Sequence, residues 1–118
     1  MSAGDGTDEE VFSLLDDPYA RRILVETRAD ARSAEELSDA CEASRSTVYR
    51  RVERLQDRDL VEAEQRLDPD GHHYEVYSAR LQRVTVEVTP EGFEVELDRE
   101  ETDPADRFTD LYRELTDE

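Results

Sequence analysis

Residues 33–61 leave the chain little choice of local structure. Ser33-Ala34-Glu35-Glu36 is a capping box, a Ser at the N-cap with Glu three positions on, and it opens a short helix through Ala40. After a turn from Cys41 to Ser44, a longer helix runs from about Arg45 to Asp59. At about 100° per residue, its Val48, Val52 and Leu55 fall within about 60° of one another, a branched aliphatic stripe that has to be buried. Arg50 lies roughly 170° from the middle of that stripe, and Ser46, Glu53 and Arg54 also fall on the far side. Helices this short do not stand alone in water, so the flanking segments must cover their inner faces.

Those flanks have readable patterns. Val11, Phe12, Leu14 and Leu15 give a short helix from Asp8, and residues 1–7 read as a disordered start. Asp17-Pro18 supplies an N-cap and a proline at the first helical position. Tyr19, Ala20, Ile23, Leu24 and Thr27 then share one face to about Arg28. Beyond Asp59 the period changes to two. Leu60–Leu67 and His73–Ala79 read as strands around Asp68-Pro69-Asp70-Gly71, a turn with Pro second and Gly fourth. Val84, Val86 and Val88 alternate with polar residues, Thr89-Pro90-Glu91-Gly92 turns, and Phe93, Val95 and Leu97 alternate again. An acidic linker from Asp98 to Asp103 leads to Asp103-Pro104, which opens a last helix with Phe108, Leu111, Tyr112 and Leu115 on one stripe.

The expected order is therefore four helices, two hairpins and one helix, an α+β fold. Two short helices joined by a four-residue turn match a helix-turn-helix, whose second helix enters the major groove of DNA, and the hairpin after it would be a wing. The boundaries read as a tail at 1–7, a winged helix-turn-helix domain at 8–80, a second β-hairpin at 81–98, and an acidic linker with a dimerisation helix at 99–118.

Composition narrows the setting. The 118 residues include 33 Asp and Glu against 15 basic residues, a net charge of −18, and every basic residue is Arg. Lys, Asn and Trp are absent. Carboxylates hold water and cations well, whereas Lys adds an apolar stem, so a Lys-free acidic surface points to a salt-accumulating, halophilic cytoplasm. At about 1 M salt the Debye length is only about 3 Å, and the self-repulsion is mostly screened. No apolar run approaches the roughly 20 residues of a membrane span. Residues 1–6 lack the basic and apolar blocks of a signal peptide, which leads to the expectation of a cytoplasmic protein.

Leu14-Leu15-Asp16-Asp17-Pro18-Tyr19-Ala20-Arg21-Arg22-Ile23-Leu24, then Ser33-Ala34-Glu35-Glu36-Leu37, then Ser44-Arg45-Ser46-Thr47-Val48-Tyr49-Arg50-Arg51-Val52-Glu53-Arg54-Leu55 with Leu60-Val61, resembles the ArsR-like winged helix-turn-helix transcriptional regulators of halophilic archaeal type. The likeness covers roughly residues 8–80; residues 81–103, with their second hairpin, depart from the short ArsR pattern. The resemblance implies a DNA-binding homodimer held by its terminal helices, with Val11, Phe12, Phe108, Leu111, Tyr112 and Leu115 as dimerisation residues; from the residues alone, the last stripe has a second home, folded back on its own domain. Pairs of cysteines near the turn serve metal sensing in such regulators, but this chain has the single Cys41.

The charge distribution picks out the same helix. Residues 44–58 carry Arg45, Arg50, Arg51, Arg54 and Arg58 against Glu53 and Asp57, a local +3 in a chain of −18. Arg forks read guanine edges or grip phosphate, and hydroxyls do either more weakly. Ser44, Arg45, Ser46, Thr47, Tyr49 and Arg50 are thus placed for base or adjacent phosphate contact, and Arg51 and Arg54 for the backbone. Arg66, His72 and His73 flank the wing turn, although Asp68 and Asp70 at its tip oppose a phosphate. The two adjacent histidines point to opposite faces of a strand and do not share a metal.

No enzymatic motif stands out. There is no phosphate-cradling glycine loop, nucleophile elbow or His-Glu-x-x-His, and no cofactor or metal is expected. Cys41 reads as a small, partly buried side chain. The sequence thus points to a sequence-specific reader of double-stranded DNA. One competing reading is a winged-helix protein-interaction module of the transcription machinery without sequence-specific DNA binding. Another is a sensor with an unknown small-molecule effector in a dimer cleft.

Overall fold

A computed structural model describes residues 5–100. Its elements, in chain order, are α1 (Asp5–Asp16), α2 (Pro18–Ala29), β1 (Arg32–Ser33), α3 (Ala34–Cys41), α4 (Arg45–Asp57), β2 (Val61–Leu67), β3 (His73–Ala79), β4 (Leu81–Thr89) and β5 (Gly92–Arg99). Four helices and two hairpins thus stand in the expected order. The expected last helix, with Phe108, Leu111, Tyr112 and Leu115, lies outside the described residues.

Local chemistry starts each helix where the sequence put it. The Asp17 side chain accepts from Tyr19 N at 2.9 Å, with Pro18 at the first helical position. Ser33 accepts from Glu36 N at 3.2 Å while Glu36 accepts from Ser33 N at 2.9 Å, which closes the capping box. Ser44 caps α4 by accepting from Thr47 N at 3.1 Å. Between α3 and α4 the turn is made by Glu42, which is left-handed at φ 54° and ends α3. Glycine adopts that conformation at lower cost, so Glu42 stores a little strain there.

Three boundaries differ from expectation. The first helix begins at Asp5, within the stretch read as a disordered start. The fourth helix ends at Asp57, because Asp59 turns left-handed at φ 59° and Leu60 N bonds Leu55 O. The supposed acidic linker begins as strand: Asp98 and Arg99 complete β5, with Asp98 opposite Arg83. Acidic composition hid a strand whose apolar partners are on the neighbouring positions.

β1, unmarked in the sequence, pairs with β3, and β3 pairs with β2, giving the order β1-β3-β2. Two residues are too few to show a period, and the pairing comes from tertiary proximity. The wing turn forms as read: Gly71 N bonds Asp68 O at 3.0 Å, and Gly71 takes φ +89°. β4 and β5 form a separate two-stranded sheet, in which Val84, Val86 and Val88 lie opposite Leu97, Val95 and Phe93.

The core forms where α2, α3, α4 and the base of the wing meet. Leu14, Ala20, Ile23, Leu37, Val48, Val52, Leu55, Leu60, Val61 and Tyr77 are buried in one cluster, against which Leu81 and Leu97 pack. The second hairpin is fastened at its base. Arg80 N and Leu81 N both donate to Leu60 O, while Arg99 donates from Nε to Asp59 O and from Nη2 to Arg58 O. One guanidinium therefore satisfies carbonyls that the end of α4 leaves open. This architecture is a winged helix-turn-helix with an added hairpin.

Candidate nucleic-acid interface

The stripe of α4 points as the helical wheel requires. Val48, Val52 and Leu55 are buried, while Arg45, Ser46, Tyr49, Arg50 and Glu53 are exposed. Arg50 makes no hydrogen bond or ion pair with any of the described residues. Arg45 is 3.6 Å from Glu35, an exposed pair of the weak kind that a phosphate readily replaces. Tyr49 is 50% exposed.

Four of the expected contacts have other work. The Ser44 and Thr47 hydroxyls are joined at 3.0 Å in the cap of α4, and Thr47 is half-buried. Arg51 reaches back to Asp17 and lies 5.6 Å from the Tyr19 ring centre. Arg54 bonds Glu10 Oε2 at 2.9 Å and Ser13 Oγ at 3.1 Å. Arg51 and Arg54, expected at the DNA backbone, thus clamp α4 to the first two helices here. A wheel gives the direction of Cβ, whereas a long arginine stem lets the guanidinium curl to the nearest carboxylate. Partial burial raises the Asp17 carboxyl, but the hydrogen bond and charge of Arg51, with the Tyr19 N–H, pull it further down, so it titrates below the ordinary aspartate range.

Between the start of α4, the start of α3 and the wing runs an open groove of about 910 Å³. It gathers Arg45, Tyr49, Arg66, His72 and His73 on shared walls. The groove also holds carboxylates that the site reading passed over, Asp30, Glu35, Glu36 and Glu75, besides Asp68. The capping box explains two of them: Glu36 has to stand at the first turn of α3, and Glu35 is its neighbour. The wing tip is stiffened by Asp68, whose Oδ1 accepts from Asp70 N and His72 N at 2.9 Å each. Asp68, Asp70 and His72 bring possible ligand atoms within 4.8 Å of one another, a grouping distinct from the histidine pair considered from sequence; such exposed acidic turns are common without a metal.

Residues 15–64 match the family model of a helix-turn-helix domain. The matched stretch runs from the end of α1 through the first half of β2, so it contains α2, α3 and α4 whole. It supports a DNA-binding regulator of the helix-turn-helix kind. No curated protein matches the chain.

The remaining candidates fall outside the groove. Val11 is fully buried in its own domain, and Phe12 packs edge-on to Phe93 with ring centres 6.1 Å apart. Phe12, expected with Val11 at a dimer contact, is still 36% exposed beside Phe93 of the second hairpin. Cys41 is half-buried against the core, and desolvation raises its thiol pKa. No helix among the described residues is long and apolar enough to cross a membrane.

Proposed function

We propose that the chain is a transcription regulator that reads a specific sequence of double-stranded DNA with α4 in the major groove, in a salt-rich cytoplasm. The observation that carries this reading is Arg50, an exposed guanidinium without a carboxylate partner among the described residues, in a chain with 33 Asp and Glu. Arg50, Ser46, Tyr49 and Arg45 form the reading edge, with the helix-start N–H groups of Arg45 and Ser46 directed at a phosphate. The wing supplies Arg66, His72 and His73 to the flanking backbone. A homodimer on a twofold site suits such a reader, its half-sites about one helical turn apart.

The groove carboxylates shape the energetics. Ordinary DNA binders gain affinity by releasing counterions, a gain that falls with salt at a log–log slope of about −0.9 per neutralised phosphate. Here phosphates approach Glu35, Glu36, Asp68 and Glu75, so cations must be taken up to screen them. The slope is therefore shallow or reversed. Selection of bound duplexes from a random pool in molar KCl tests the reading directly: an enriched motif whose footprint relaxes at one base in Arg50→Ala supports it, and absence of any enriched motif rejects it.

The same carboxylates favour a second reading, a winged-helix module that meets a basic partner protein of the transcription machinery. Its mark would be capture of protein without enrichment of any DNA sequence.

A further inference from the structure

The second hairpin has one apolar face and one acidic face. Val84, Val86 and Val88 of β4 lie opposite Leu97, Val95 and Phe93 of β5, and directly opposed residues share a face. On the other side Glu87 stands opposite Glu94, a like-charge pair that works against the hairpin. A two-stranded sheet is at best marginally stable in water, so this one depends on cover for its apolar face. At the base that cover exists, where Leu97 packs against the domain core. Toward the turn it runs out. Val88 is 71% exposed, Phe93 54% and Val86 42%, and Phe12 of α1, whose ring meets that of Phe93, is itself exposed.

We infer that this face, Val86, Val88, Phe93 and Val95 with Phe12 at its border, is where a second copy of the chain docks, face to face about a twofold axis. The inference deepens the DNA reading above and rests on it for the pairing of half-sites. Three observations favour a second copy over a different partner. The face carries no charged side chain, whereas the opposite face of the hairpin shows Glu87, Glu94 and Glu96. A basic partner would gain by meeting those acids; an uncharged face is complementary to itself, as a twofold contact requires. The exposed parts of Phe12, Phe93 and the hairpin aliphatics come to about 350 Å², most of the roughly 450 Å² of apolar area that one partner of a standard interface buries. The face also shares no residue with the groove between α4 and the wing, so two copies joined here keep both α4 helices open to DNA. The charge of −18 on each copy opposes the contact in dilute buffer, but at about 1 M salt a Debye length of about 3 Å screens most of it.

Sedimentation of the full 118-residue chain in molar KCl, without DNA, tests this. The expected result is a species of twice the 13.7 kDa chain mass. Isotope-filtered NMR of a mixed labelled and unlabelled sample should show cross-peaks from the Val86 and Val88 methyls to the Phe93 or Phe12 rings of the other copy. Val88→Glu and Phe93→Glu, both at exposed positions, should each raise the dimer dissociation constant by more than about tenfold, because a twofold contact would then bury two new carboxylates. The Leu37 and Leu55 methyl shifts should stay in place in both variants. A chain that remains monomeric overturns the inference, and so does a dimer that survives both variants. A dimer without those filtered cross-peaks overturns it too, even where a variant fails to fold. No DNA enters these measurements, so a dimer joined by this face whose pool selection enriches no duplex would sink the DNA reading and leave the docking face standing.

Discussion

On one side of α4, Arg51 and Arg54 reach back to Asp17 and Glu10; on the other, Arg45 and Arg50 stand toward solvent, and Arg50 has no partner among the described residues. The four arginines lie within ten residues of one another and share a charge, a length and a helix. What separates them is whether a carboxylate of the first two helices lies within a stem's reach. The inward pair ties α4 to the first two helices; of the outward pair, Arg45 holds only an exposed ion pair with Glu35, and Arg50 has no partner among the described residues. A basic helix is thus two devices, and a count of its charges does not tell them apart.

The largest effect concerns what holds both sides in place. Leu55→Ala removes a fully buried side chain from beneath α4 and should cost about 2–5 kcal/mol of stability, measured by denaturant unfolding in molar KCl. DNA affinity would fall only as far as folding does. Next comes Arg50→Ala, which should weaken binding to a selected site by about 1–3 kcal/mol and leave the unfolding midpoint unchanged. A stable Arg50→Ala protein with undiminished affinity would show that the outward side is not the reader.

Arg51→Ala should do the reverse, destabilising the fold by about 1–2 kcal/mol through loss of a partly buried, hydrogen-bonded charge partner, with a smaller effect on affinity. The pair also predicts a pH dependence. Asp17 has its pKa lowered in the folded state, so its contribution is fully present above the ordinary aspartate value and fades as pH falls through the folded value. Acid unfolding curves of the parent and Arg51→Ala should converge toward the acid end, and parallel curves would mean that Arg51 does not act through the Asp17 charge. The smallest effect lies in the turn that joins α3 to α4. Glu42→Gly relieves a left-handed non-glycine residue and should stabilise by about 0.5–1 kcal/mol, read as a raised unfolding midpoint.

Where a residue's fate depended on its near neighbours in the chain, the sequence was legible. Ser33 with Glu36, Asp17 with Pro18, and Asp68 with Gly71 formed their caps and turn because each motif closes over two to five residues. The burial of Val48, Val52 and Leu55 followed from helical period alone. β1 was illegible, since Arg32 and Ser33 are strand only by pairing with Tyr77 and Val76. Arg99 was equally so, because its carbonyl partners lie some forty positions back, at Arg58 and Asp59.

The amino-acid sequence by itself determined the helices, the hairpins and the direction of each apolar stripe, because hydrophobic period and capping are local physics. Only the tertiary structure decided which arginines are spent on carboxylates of their own chain and which acids line the groove beside α4. Those outcomes depend on which long side chains meet across the fold, and a flexible stem answers to distance in space, not to position along the chain.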